Sequence, residues 1–156
     1  MKKRTWFVLG AAAIALLAAC SAKKPAVIGG MQMANPFVTY DTLTDAQTAA
    51  GFSFSVPERV EGYSQRIVQV MSGKMLQVIF REGDSRLILR KQQGSGDISG
   101  DYNAYPQTET VDGVTLRGAE GKVRCAVWER DGFTYALTSD TPLERNVALA
   151  LIEQSR

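Results

Sequence analysis

Beyond Gly62 the chain reverses direction at short, even intervals. Apolar and β-branched runs alternate with glycine-centred turn signals. Tyr63–Met71 leads into Ser72-Gly73-Lys74, Met75–Phe80 into Glu82-Gly83-Asp84, and Arg86–Lys91 into a longer polar stretch rich in glycine. Tyr105–Val111 then meets Asp112-Gly113, Val114–Arg117 meets Glu120-Gly121-Lys122, Val123–Glu129 meets Asp131-Gly132, and Phe133–Ser139 completes the series. Tight hairpin turns need positive φ, which costs glycine nothing. Short strands joined in this way build an antiparallel meander.

Helical signals lie on either side of this series. Thr44-Asp-Ala-Gln47 has the form of a capping box and Gly51 that of a stop, so one short helix is expected there. Phe52–Val56 alternates like a strand up to Pro57. At the C-terminus, Thr141-Pro142-Leu143-Glu144 offers an N-cap, a proline at the first helical position and a capping acid. Leu143, Val147 and Leu151, with Ala148 and Ile152, make one apolar stripe beside Glu144, Arg145, Asn146 and Glu153. A helix with one apolar stripe needs a sheet to cover. The expected fold class is α+β: a single twisted antiparallel sheet of about seven strands, with a C-terminal helix and a short N-terminal helix on one face.

The first twenty residues carry a different message. Lys2, Lys3 and Arg4 precede an almost unbroken apolar run, Trp6–Ala19, which closes on Leu17-Ala18-Ala19-Cys20. A basic head, a short apolar segment and small residues before a cut describe a secretory signal. The run is shorter than the ~20 apolar residues that span a hydrocarbon core. The cut before cysteine resembles a bacterial lipoprotein box, which implies a diacylglycerol thioether on Cys20 and an N-terminal acyl chain such as palmitate. The expected organisation is a signal peptide over 1–19, a lipidated Cys20 with a flexible tether over 20–35, and one domain over 36–156. The tether contains Lys23, Lys24, Pro25 and Gly29-Gly30, and its span as a flexible coil is about 20 Å. The expected location is the extracytoplasmic face of the cell membrane, held by lipid.

Processing changes the charge. The precursor has 18 basic and 16 acidic side chains, net +2, and loss of the three leader cations leaves 15 against 16. A slightly acidic domain disfavours nucleic acid, whose phosphates call for a basic surplus. The chain has no histidine, which removes His-based triads and His-ligated zinc together. No glycine-rich phosphate loop occurs, and no cofactor is expected. With Cys20 lipidated, Cys125 has no intrachain partner. In Val123-Arg-Cys-Ala-Val127, alternation places it beside Val123 and Val127, as a buried and inert thiol.

Two patterns are candidate sites. Asp97-Ile-Ser-Gly-Asp-Tyr-Asn103 sets side-chain oxygens at Asp97, Ser99, Asp101 and Asn103, an array similar to the opening of a calcium loop. Tyr102 stands where such a loop has glycine and Thr108 where it has its bidentate glutamate; hydrogen bonding of these side chains to the loop's own backbone is the alternative. The second pattern follows from alternation, which puts Arg124, Ala126, Trp128 and Arg130 opposite Val123, Cys125 and Val127. With Arg81, Arg86 and Arg90 on other strands, they would form a basic face carrying one large aromatic. Arginine and tryptophan are enriched at binding hot spots, and guanidinium groups match carboxylates and phosphates. The alternative is a solvated face.

Asn35-Pro-Phe, Ala50-Gly-Phe-Ser-Phe54, Gly73-Lys-Met-Leu-Gln-Val78 and the loop 97–103, with the Trp128 strand and the closing helix, resemble a family of Gram-positive lipoproteins, domain of unknown function 4367. The resemblance runs over nearly everything from Asn35 onward and implies the same fold and envelope location. It implies no reaction, and no catalytic residue is carried over. The expected function is a non-catalytic, membrane-tethered domain that binds or senses an envelope protein or an anionic envelope polymer through its sheet or the loop 92–104. Two other classes stand beside it: a structural accessory of an envelope assembly, and a hydrolase using Asp97 and Asp101.

Overall fold

Three of the sequence's reversals are two-residue turns with both central residues at positive φ. Asp112-Gly113, Glu120-Gly121 and Asp131-Gly132 have φ of 49° and 79°, 54° and 74°, and 53° and 78°. Mirror-image turns of this kind match the right-handed twist of the strands they join, so each closes a hairpin in register. The computed structural model describes residues 35–71 and 73–156. The expected leader, Cys20 and the tether up to residue 34 lie outside the described residues.

Eight strands form one open antiparallel sheet: β1 Phe37–Tyr40, β2 Gln65–Met71, β3 Met75–Glu82, β4 Ser85–Gln93, β5 Gln107–Val111, β6 Val114–Ala119, β7 Lys122–Arg130 and β8 Phe133–Glu144. Their spatial order is β1-β2-β3-β4-β8-β7-β6-β5. The meander therefore runs in two passes of four strands, joined where β4 pairs with β8, Leu89 opposite Leu137. Among the described residues there are two helices, α1 Leu43–Ala50 and α2 Arg145–Gln154. The α+β class, the antiparallel sheet and both helices are as expected from the sequence.

The helices cover one sheet face. There Val68, Val78, Leu87, Leu89, Leu137 and Trp128 meet Ala46 and Ala50 of α1 and Ala148, Leu151 and Ile152 of α2. Removing this apolar surface from water is the main favourable term in holding the layers together. Phe54 is fully buried, but Phe52–Val56 is not a strand. Instead Ser55 exchanges two backbone hydrogen bonds with Arg156, at 2.7 and 3.1 Å, tying the C-terminus to the segment after α1.

Both helix starts differ from the sequence reading. The N-cap of α1 is Thr42, whose Oγ1 accepts from the Asp45 N–H at 3.1 Å, so the capping pair sits two residues earlier than Thr44-Gln47. Thr141–Glu144 continues β8. Lys122 and Val123 pair with Glu144 and Leu143, and α2 begins only at Arg145 with no side-chain cap. Pro142 lies where β8 bulges away from β7 between its pairings at Thr138 and Leu143, a stretch that needs no ladder N–H from it. Leu143 thus leaves the helix stripe, and Val147 is 43% exposed; the buried stripe is Ala148, Leu151 and Ile152.

Candidate functional site: an arginine-lined cleft under a crossing loop

The order of the strands dictates a long connection. β4 lies mid-sheet and β5 on the far edge, so residues 94–106 must pass β8, β7 and β6. They cross on the face away from the helices. Ile98 is buried against Met75 and Ala136, with Val127 beside them, all on that face. Thr134 Oγ1 donates to the Gly94 carbonyl at 2.7 Å, and Arg117 of β6 pairs with Asp97 at 2.7 Å. The connection is a strap tied to the sheet along its first half, from Gly94 to Ile98.

Within the strap, side-chain oxygens cap the amides two residues on. Asp97 Oδ1 accepts from the Ser99 N–H at 2.9 Å, Ser99 Oγ from Asp101 at 3.2 Å, and Asp101 Oδ1 from Asn103 at 3.0 Å. This is the backbone-satisfying alternative to the calcium-loop expectation for Asp97, Ser99, Asp101 and Asn103. Oxygens of Asp97, Ser99 and Asp101 are turned to the loop's own amides, Asn103 Nδ2 donates to Asp101 Oδ1 at 2.6 Å, and Asp97 Oδ2 is turned to Arg117. Among the described residues no cluster of three or more His, Cys, Asp or Glu is placed to hold a metal ion.

The same bonds set the carboxylate chemistry. Burial works against ionisation of Asp97, but hydrogen bonds from Ser99 and Arg117 outweigh it and hold its pKa below the ordinary value. Asp101 is lowered in the same way: burial opposes the charge, while Tyr105 and Asn103 stabilise it. Tyr105 donates to Asp101 Oδ2 at 2.5 Å, and burial together with that bond pushes its own pKa up to about 12. A general acid needs its pKa raised toward neutrality, so both carboxylates are tuned away from that role.

Between the strap and the β4–β8–β7 surface lies a cleft of about 520 Å³, within the roughly 300–1,000 Å³ usual for ligand sites. Arg86, Arg90 and Arg124 line it, with Asp101, Tyr102 and Asp140 among the residues around them. Arg86 pairs with Asp140 at 3.0 Å, and Arg124 donates to the Asp140 backbone carbonyl at 2.7 Å. The β8 bulge is what places Asp140 here; bulges recur beside binding sites because they re-aim side chains.

Arg90 is the most constrained of the three. Its Nη1 donates to the carbonyls of Ile98, at 3.3 Å, and Ser99, so it ties the strap to the sheet. Its Nε donates to Gln77 Oε1 at 3.0 Å. Gln77 is buried and donates in turn to Gln69 at 2.8 Å, and Gln69 to Thr39 at 3.1 Å, a relay across β4, β3, β2 and β1. Burial lowers the pKa of Arg90, and the charge of Arg86 acts in the same direction. Neither Arg90 nor Arg124 has a carboxylate within ion-pair distance among the described residues.

The expected basic face is thus divided. Arg86, Arg90 and Arg124 come together; Arg81, Arg130 and Trp128 do not join them. Arg81 folds back on its own turn, donating to the Gly83 carbonyl at 2.7 Å. The others are displaced by the irregularity between Val123 and Cys125, where β7 breaks register with β8. One residue of slip exchanges the faces of everything beyond it. Cys125 and Val127 face the strap, whereas Ala126, Trp128 and Arg130 turn to the helix side. Trp128 is 4% exposed and stacks on Tyr135 with ring centroids 5.4 Å apart.

Cys125 is a buried free thiol, and burial raises its pKa, which keeps it protonated and unreactive. Lys91 was hidden by its charge. It is 6% exposed on the helix side, donates to the Ser53 carbonyl at 2.7 Å, and lies 4.4 Å from the Phe133 ring centroid. The chain matches no family model, and no curated protein or solved structure is significantly similar to it.

Proposed function

We propose that this chain is a lipid-anchored domain of the extracytoplasmic membrane face that binds an anionic ligand, without catalysis, in the cleft beneath the strap. Its partners on this reading are the membrane, through Cys20, and an envelope protein or anionic envelope polymer. The observation that carries the reading is the cleft's unbalanced charge. Arg90 and Arg124 line it with no carboxylate in ion-pair contact among the described residues, and a partly buried guanidinium whose charge is unpaired is stabilised by an anion at its remaining N–H donors. The basic head, apolar run and Leu17-Ala18-Ala19-Cys20 box support the address. On this reading the lipid on Cys20 is the anchor; among the described residues no helix is long and apolar enough to cross a membrane. Acyl chains contribute about 0.8 kcal/mol per buried methylene, enough for stable anchoring when two or more are present.

Membrane fractionation of the Cys20→Ser variant tests the anchor. The variant is expected in the soluble fraction or as uncut precursor. Acylated and processed Cys20→Ser protein would overturn that half of the proposal. For the cleft, inorganic phosphate at fixed ionic strength is expected to raise the melting temperature of the full chain more than that of Arg124→Ala. Equal shifts would overturn the binding half.

A further inference from the structure

We infer that the ligand of this cleft is an acidic saccharide, a polyhydroxylated ring bearing a carboxylate or phosphate, gripped by Arg90 and Arg124 and stacked on Tyr102. The inference rests on the anion-binding reading above and adds the rest of the ligand to it.

Three features of the cleft carry it. First, small-molecule pockets are usually lined mainly by aliphatic and aromatic side chains. Here Ile88 is the one aliphatic side chain on a lining otherwise made of charged groups, hydroxyls, an amide, a glycine and two tyrosines. A lipid or an aromatic ligand would strip water from these groups without replacing its hydrogen bonds, which is costly. Second, acceptors stand beside the cations. Asp101 and Asp140 repel a purely anionic ligand, but Asp140 Oδ1, which accepts no hydrogen bond among the described residues, and the remaining lone pair of Asp101 Oδ2 suit hydroxyl donors, while Arg90 and Arg124 take the acid. A bare anion uses half of this set, and a neutral sugar uses the other half. Third, Tyr102 is 98% exposed at the cleft, on a strap whose backbone is fixed on either side of it by the Asp101 and Asn103 amide bonds. A fully exposed tyrosine, with few side-chain torsions to order, offers a flat amphipathic surface suited to the C–H face of a pyranose.

The experiment separates ring from acid. The full-length chain is titrated, with amide chemical shifts as readout, against glucuronate, glucose 6-phosphate, glucose, acetate and inorganic phosphate. At least one of the two acidic sugars is expected to bind about tenfold more tightly than glucose and than its own bare anion, and the tighter of the two names the acid. Tyr102→Ala is expected to remove that increment and leave acetate and phosphate unchanged, while Arg124→Ala weakens every anion. If the bare anions bind as tightly as the acidic sugars, or Tyr102→Ala changes nothing, the saccharide inference is overturned and the anion cleft stands. If glucose binds as well as the acidic sugars, the acid requirement is overturned. If no anion binds, the cleft reading falls and the inference with it.

Discussion

Trp128 shows how one register slip changes a residue's role. By alternation it belongs to the basic face; in the fold it is sealed in the helix-side core, stacked on Tyr135, with no partner for its indole N–H among the described residues. Trp128→Ala is therefore expected to cost about 3–5 kcal/mol of stability, the range for emptying a large aromatic site. Chemical denaturation measures it, and a near-neutral result would return Trp128 to the surface. The slip was not legible because a bulge depends on how two strands meet and leaves the apolar pattern of either one intact. Arg86 and Arg90 were legible, since β4 keeps strict alternation throughout. Asp97 gives a pH prediction. Its pKa is lower in the folded chain than the ordinary ~3.9, so its contribution is present above about pH 4 and is lost as pH falls through the folded value. From about pH 6 to about pH 2 the wild type should lose more melting temperature than Asp97→Asn. Parallel losses would mean that the Arg117 pair does not hold the strap.

Elements were easier to read than their junctions. The hairpins announce themselves locally, three through an acid and a glycine both at positive φ and the β2–β3 and β3–β4 turns through Gly73 and Gly83 alone, and the strands between them are found close to their expected limits. Gly118 is a harder case. A Cβ there would lie 1.9 Å from the Lys122 carbonyl oxygen, so glycine is required by the β6–β7 bulge and not by a turn. Helix α2 was legible as a helix but not in its start, because capping chemistry at Thr141-Pro142 competes with strand pairing of Leu143 to Val123, and the pairing wins. Its buried stripe makes Leu151→Ala expensive, about 2–5 kcal/mol. Glu153→Ala removes only an exposed partner of Arg156 and should change little. If the two variants melt alike, near the wild type, α2 is not docked on β7 and β8.

At the scale of the whole molecule, the sheet is asymmetric by construction. Among the described residues two helices bury one face and one long connection crosses the other, creating a cleft that has a floor of strands and a wall of loop. This arrangement follows from the β4–β8 pairing, a contact between segments far apart in sequence that no local pattern specifies. The loop itself was visible as a glycine-rich interval, and three of its four proposed metal ligands now have a structural task in capping its turns. The central claim is that Arg90 and Arg124, brought beside the Arg86–Asp140 pair by this topology, hold an anion. The most direct measurement follows the side-chain Nε signals of Arg86, Arg90 and Arg124 in the full-length chain while inorganic phosphate replaces chloride at constant ionic strength. Saturable shifts confined to these three signals, and lost in Arg124→Ala, are the predicted result. Shifts that never saturate, or that spread evenly over Arg81, Arg130 and the other surface arginines, would contradict it.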